Sequence, residues 1–138
     1  MNLPNKKFKQ TLREGMPIFL IGVLLIALTD SIGSVLSRKL NFSYTSLYPI
    51  SYLIFAVIPF FIAKKTNVKT AITYAALLGL FDASIGWWIS IVLNANIGHT
   101  KYELTVGMWI FAALYMMIVS AFLGLLGALI ATIIYKKR

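Results

Sequence analysis

Residues 16–36 read MPIFLIGVLLIALTDSIGSVL, an unbroken apolar run with no Lys, Arg, Glu or His and a single acid, Asp30. A helix rises 1.5 Å per residue and the hydrocarbon layer of a bilayer is about 30 Å thick, so roughly twenty such residues cross it. The run is therefore read as a membrane span. A carboxyl inside it is costly, and that cost is the first functional clue in the chain.

Three further runs share the pattern, at 46–63, 71–93 and 105–135. The second is short and carries Pro49, which suits a first helical turn, and Pro59, which predicts a kink or a bent end. The fourth exceeds the length needed, which predicts tilt or an interfacial start around Trp109. Backbone groups in lipid must be satisfied internally, and no run shows the ten-residue alternation of a membrane barrel. The expected fold is thus an all-α membrane protein: one four-helix transmembrane domain over 16–138, preceded by a basic segment over 1–15.

Composition agrees. Hydrophobic residues make up 59% of the 138 and charged ones 12%, about half the usual charged share of soluble domains. Cysteine is absent and His99 is the only histidine, so thiolate and histidine metal centres are not expected. The formal charge of +9 does not point to nucleic acid, because the basic residues sit in short clusters beside the apolar runs. Lys6, Lys7, Lys9, Arg13, Lys64, Lys65, Lys69, Lys136, Lys137 and Arg138 fall on one side of a four-span topology. Arg38, Lys39 and Lys101 fall on the other. The positive-inside rule then predicts both termini in the cytoplasm of a cell inner membrane. The basic start and apolar run resemble a secretory leader in part, but the run is long, contains Asp30 and lacks a small-residue cleavage site, so an uncleaved first span is expected.

An internal similarity links the first and third spans. Ser31-Ile-Gly-Ser-Val-Leu-Ser37 and Ser84-Ile-Gly-Trp-Trp-Ile-Ser90 share Ser-Ile-Gly, two variable residues, Leu or Ile, then Ser. Leu28-Thr-Asp30 precedes one copy and Leu80-Phe-Asp82 the other, with one extra residue, Ala83, in the second. Spans one and three run in the same direction, so the pattern predicts two parallel helical hairpins, either by duplication or by shared packing needs.

Asp30 and Asp82 lie roughly 21 Å and 17 Å along their helices from the basic side. No basic residue falls within any span to neutralise them. They must be protonated, bind a cation or face water. Ser34 and Ser37 follow Asp30 on one helical face near Gly33, and Gly86 and Ser90 share a face with Asp82. Two readings follow. In the first, the chain is a non-enzymatic helix-bundle subunit whose acids bond neighbouring helices. In the second, it is a small proton- or cation-coupled transporter or channel, with Asp30 and Asp82 as ion sites and Ser34, Ser37 and Ser90 as secondary ligands. A membrane aspartyl protease also pairs two acids, but its Gly-x-Gly-Asp pattern is broken by Phe81.

The fourth span carries Ser120, Gly124 and Ala128 at four-residue spacing with Gly127 beside them, a helix-packing face within the bundle or between subunits. Tyr44, Tyr48, Tyr102 and Trp109 are expected as interfacial anchors. Trp87 and Trp88 lie deeper, as lipid-facing anchors or with one beside Asp82. No phosphate loop, nucleophile elbow or catalytic His–acid pair is present, so no enzyme, cofactor or metal is expected. A four-helix bundle leaves little room for a pore. The expected partners are the lipid bilayer and either a second copy or another membrane protein, with no nucleic acid.

Overall fold

The computed structural model describes residues 4–97 and 105–135. Within them the fold is all-α, with four helices long and apolar enough to cross a membrane. Helix α1 spans Pro4–Leu40, and a 3-10 turn at Tyr44–Leu47 leads into α2, Tyr48–Lys65. Helix α3 (Val68–Phe81) continues through a π-helical turn, Asp82–Gly86, into α4 (Trp87–Val92), and α5 spans Val106–Tyr135. His99, Lys101, Tyr102, Glu103, Lys136, Lys137 and Arg138 lie outside the described residues.

The expected spans are found, with shifted ends. Helix α1 begins at Pro4 rather than near residue 16, so the basic segment is the first part of the first helix. Proline suits an opening turn, and the Lys, Gln, Leu, Arg and Glu that follow are good helix formers. Helix α2 runs through Pro59 to Lys65 without a break in its assignment. It turns into α3 over two residues, where the Asn67 side chain caps α3 by accepting from the Thr70 N–H at 2.8 Å.

Helices α2 and α3 form a central pair, with α1 on one side and α5 on the other; α5 does not approach α1. Lipid tails are as apolar as leucine, so close packing must hold such helices together, and small residues allow it. Gly124 faces the Ala75 methyl and Pro59, Gly127 faces the Ala56 carbonyl, and Gly79 faces Ser120 and the Met116 carbonyl. Ser120, Gly124, Gly127 and Ala128 are all buried. The small-residue face of α5 is thus spent inside the bundle. Ile26, Phe55, Ile62 and Leu78 fill the core beside it. Near the Lys64 end, Phe19 stacks on Tyr74 at 4.8 Å, and the Tyr74 hydroxyl donates to the Leu12 carbonyl at 2.7 Å. The Lys64 ammonium lies 4.3 Å from the centre of the Tyr135 ring, a cation–π contact between the ends of α2 and α5.

The opposite end is built differently. Helix α2 packs on α3 but not on the π turn or α4, so the central pair diverges beyond Phe81. The gap is roofed by a chain of hydrogen bonds. The Tyr44 N–H donates to the Asn96 carbonyl at 2.7 Å, the Asn96 N–H to Ser37 Oγ at 3.1 Å, and the Asn96 side-chain amide to Asn41 Oδ1 at 3.3 Å.

Candidate functional site

The two similar segments of the sequence are also similar in local structure, further than the shared residues first indicate. In the first, the Ser37 hydroxyl donates to the Ser34 carbonyl at 2.9 Å, and in the second Ser90 donates to the Trp87 carbonyl at 2.7 Å. Four residues on, Asn41 and Asn94 each adopt a left-handed backbone, both with φ of 53°. The Phe42 N–H then bonds the Ser37 carbonyl at 3.2 Å, and the Ala95 N–H the Ser90 carbonyl at 2.9 Å. This is the same helix-ending hydrogen bond in both copies. The match therefore continues to Leu40-Asn41 and Leu93-Asn94.

The copies differ where the second carries Ala83. An α-helix bonds each N–H four residues back and a π turn five back, so one π turn absorbs one inserted residue. The Trp87 N–H bonds the Asp82 carbonyl across that wider turn. The Ala83 carbonyl takes a hydrogen bond from outside the helix, donated by the Trp109 indole of α5 at 2.9 Å. Trp87 is held in turn by Trp109, edge to face at 6.0 Å.

The consequence is convergence of the two acids. A side chain at Gly86 would run into Asp30 Oδ2 and, slightly further off, Asp82 Oδ1, so both carboxyls approach the same bare patch of backbone. Asp30 is only 2% exposed. Its Oδ1 accepts from the Tyr44 hydroxyl at 2.6 Å, and its buried Oδ2 takes no hydrogen bond from the described residues. The Asp82 carboxyl is half-buried and likewise has no side-chain partner among them. Leaving a buried oxygen unpaired in a low-dielectric site costs several kcal/mol, roughly, if it is charged, and about 1–3 kcal/mol if it is not.

Both acids line a chamber of about 240 Å³ to which all four spans contribute. Tyr44, Tyr48, Ser51 and Tyr52 come from the second span, Trp87 and Ser90 from the third, and Tyr115 from α5. Tyr48 and Tyr115 are 47% and 53% exposed and mark its mouth.

Of the residues singled out from sequence, Asp30, Asp82 and Ser90 reach the chamber, and Gly86 supplies the bare patch between the acids. Ser34 and Ser37 are fully buried but line no part of it. Ser34 donates to the Asp30 backbone carbonyl at 2.5 Å, and Ser37 is engaged by Ser34 and Asn96. Serine hydroxyls in apolar helices turn back onto their own carbonyls when nothing better is in reach. Gly33 faces Leu47 and Tyr44, not the acids. Trp87 lines the chamber whereas Trp88 is exposed.

Sequence reading missed the tyrosines. Tyr44 and Tyr48 look like interfacial anchors, and their role depends on a fold that turns them inward. The available signal was the spacing Tyr44, Tyr48, Ser51, Tyr52, a polar–aromatic stripe on one helical face. Trp109 is half-buried and committed to the π turn. Among the described residues, no group of three or more His, Cys, Asp or Glu gathers as a metal site. No family model, curated protein or solved structure matches this chain.

Proposed function

We propose that this chain is a small, non-enzymatic transporter or channel coupled to protons or a cation, with Asp30 and Asp82 as its ion site. One observation carries the reading: a carboxyl oxygen of Asp30 lies buried with no hydrogen bond from the described residues, beside a second acid at the edge of a chamber lined by all four spans. Intramembrane acids that serve only as glue bond a serine or carbonyl on a neighbouring helix. Here Asp82 has no such bond among the described residues, and the nearby serines bond their own helices. The cluster of basic residues supports a cytoplasmic-membrane setting with both termini inside. A second copy or another membrane protein would complete any path across the bilayer, since α1 and α5 each pack closely on the α2–α3 pair toward the Lys64 end.

The helix-association reading has one observation in its favour. The Tyr44–Asp30 bond fastens α1 to the turn before α2. Infrared difference spectra of the carboxyls separate the two, recorded on the full chain in lipid with Asp30→Asn, Asp82→Asn and the double variant. Ion coupling predicts carboxyl bands that respond to pH or to an added cation and vanish in the double variant, which stays folded. Bands indifferent to pH and to every cation, with a double variant that behaves as the native protein, would leave the acids as packing groups.

A further inference from the structure

Resting on the ion-site reading above, we infer that the chamber takes a small monovalent organic ammonium ion. Its floor and walls differ in chemistry. The floor is the acid pair beside Gly86, whereas Tyr48, Tyr52, Trp87 and Tyr115 make up much of the wall. Aromatic faces attract cations whose charge is spread under an apolar skin, and do so most strongly when water is excluded and a tryptophan is present.

A metal cation fits this lining poorly. Calcium takes six to eight oxygens and magnesium a near-octahedral set. Tyr44 already occupies one oxygen of Asp30, and beyond the two acids the lining side chains offer only single hydroxyls among aromatic and apolar groups. A proton alone accounts for two acids but not for an aromatic-walled space of about 240 Å³. Charge sets the valence. Two ionised carboxylates aimed at one point repel strongly in a low-dielectric setting. Exchanging one of the pair's protons for one singly charged guest leaves the buried charge unchanged and one carboxyl neutral, whereas a divalent guest must displace both protons and leave two ionised carboxylates side by side.

The probe is tetramethylammonium chloride, added to the purified full chain in lipid nanodiscs against potassium chloride at equal ionic strength. Carboxyl infrared bands and tryptophan fluorescence are read together. The expected result is a saturable response to tetramethylammonium and none to potassium, lost in the Asp30→Asn, Asp82→Asn double variant. Trp87→Leu should weaken the response about three- to thirtyfold, and Trp87→Phe less, because a ring face is retained. Thermal unfolding verifies that each variant is folded, and Tyr52→Leu provides a second wall variant if Trp87→Leu is not. Carboxyls that answer to pH or to potassium but ignore tetramethylammonium would overturn this inference and leave the ion-site reading standing. Carboxyls that answer to nothing would sink both.

Discussion

Asp30 through Asn41 and Asp82 through Asn94 start from nearly the same residues and end in the same capped turn, yet one is plain α-helix and the other opens with a π turn. The first acid is buried and tied to Tyr44; the second is half-buried and takes no hydrogen bond from the described residues. Three residues past each left-handed Asn stands a chamber residue, Tyr44 in one copy and Ile97 in the other. Where the first copy places a hydroxyl that bonds its acid, the second places a hydrocarbon. Differences at two places, the extra Ala83 and this Tyr–Ile exchange, leave one carboxyl bonded by a hydroxyl and the other without such a bond among the described residues. The ion site proposed above would use that inequality, one acid being held and the other able to answer a guest.

Deleting Ala83 should break the comparison most severely. The π turn takes up the residue that Ala83 adds, so removing it should close the turn to plain α-helix, as in the first copy, and shift Asp82 by about 100° relative to Gly86, Trp87 and Ser90. The Trp109–Ala83 bond would go as well. A loss of more than about 3 kcal/mol is expected, within the range reserved for broken buried networks. Denaturant unfolding of the protein in detergent or lipid measures it. A deletion variant as stable as the native chain, with tryptophan emission unchanged, would mean that the π turn is incidental.

The paired glycines give a gentler contrast. At Gly86 a methyl group would press on both carboxyls, whereas at Gly33 it would meet the flexible end of Leu47. Gly86→Ala should cost about 1–3 kcal/mol as overpacking and silence the carboxyl response. At Gly33 the gain in helix propensity, up to about 1 kcal/mol, offsets a small shift of Leu47, and the response should survive. Thermal unfolding together with the infrared titration reads both. Equal losses at the two positions would show that the acids do not converge at Gly86.

What was legible in the sequence follows from which forces act locally. Span number came from runs of twenty apolar residues, because the bilayer imposes length and polarity on every helix independently of its neighbours. The two acids were conspicuous for the same reason, and Ala83 showed as a single extra residue. The π turn it produces depends on Trp109, twenty-six positions away, to satisfy a backbone carbonyl, and no local pattern contains that. That Tyr44 and Tyr48 line the chamber is not legible locally, because an interfacial tyrosine and a chamber tyrosine look alike until α2 and α4 are seen to diverge. Ser34 and Ser37 were overvalued, since their spacing shows a shared face but not that each hydroxyl is already spent on its own helix. The face of α5 around Gly124 and Gly127 was recognised, while its partners, Pro59, Ala75 and Ala56, required the fold.

The smallest effect tests how alike the two copies remain. Asn41 and Asn94 hold the same left-handed backbone, where a Cβ-bearing residue other than Asn or Asp is strained by roughly 1–2 kcal/mol. Ala at either position should therefore cost about 1 kcal/mol, and Gly at either should recover the backbone part of that loss. The side chains are unequal, however. Asn41 accepts a hydrogen bond from the Asn96 side chain across the roof, whereas among the described residues the Asn94 amide reaches only the Val92 carbonyl two residues back, at 3.5 Å. Asn41→Gly should consequently remain a few tenths of a kcal/mol below native, as expected for an exposed hydrogen bond between side chains, while Asn94→Gly should return to native within error. Unfolding midpoints of the four variants decide it. Matching values for Asn41→Gly and Asn94→Gly would mean that the roof contact contributes nothing and that the two ends differ only in the residues that follow them, Tyr44 and Ile97.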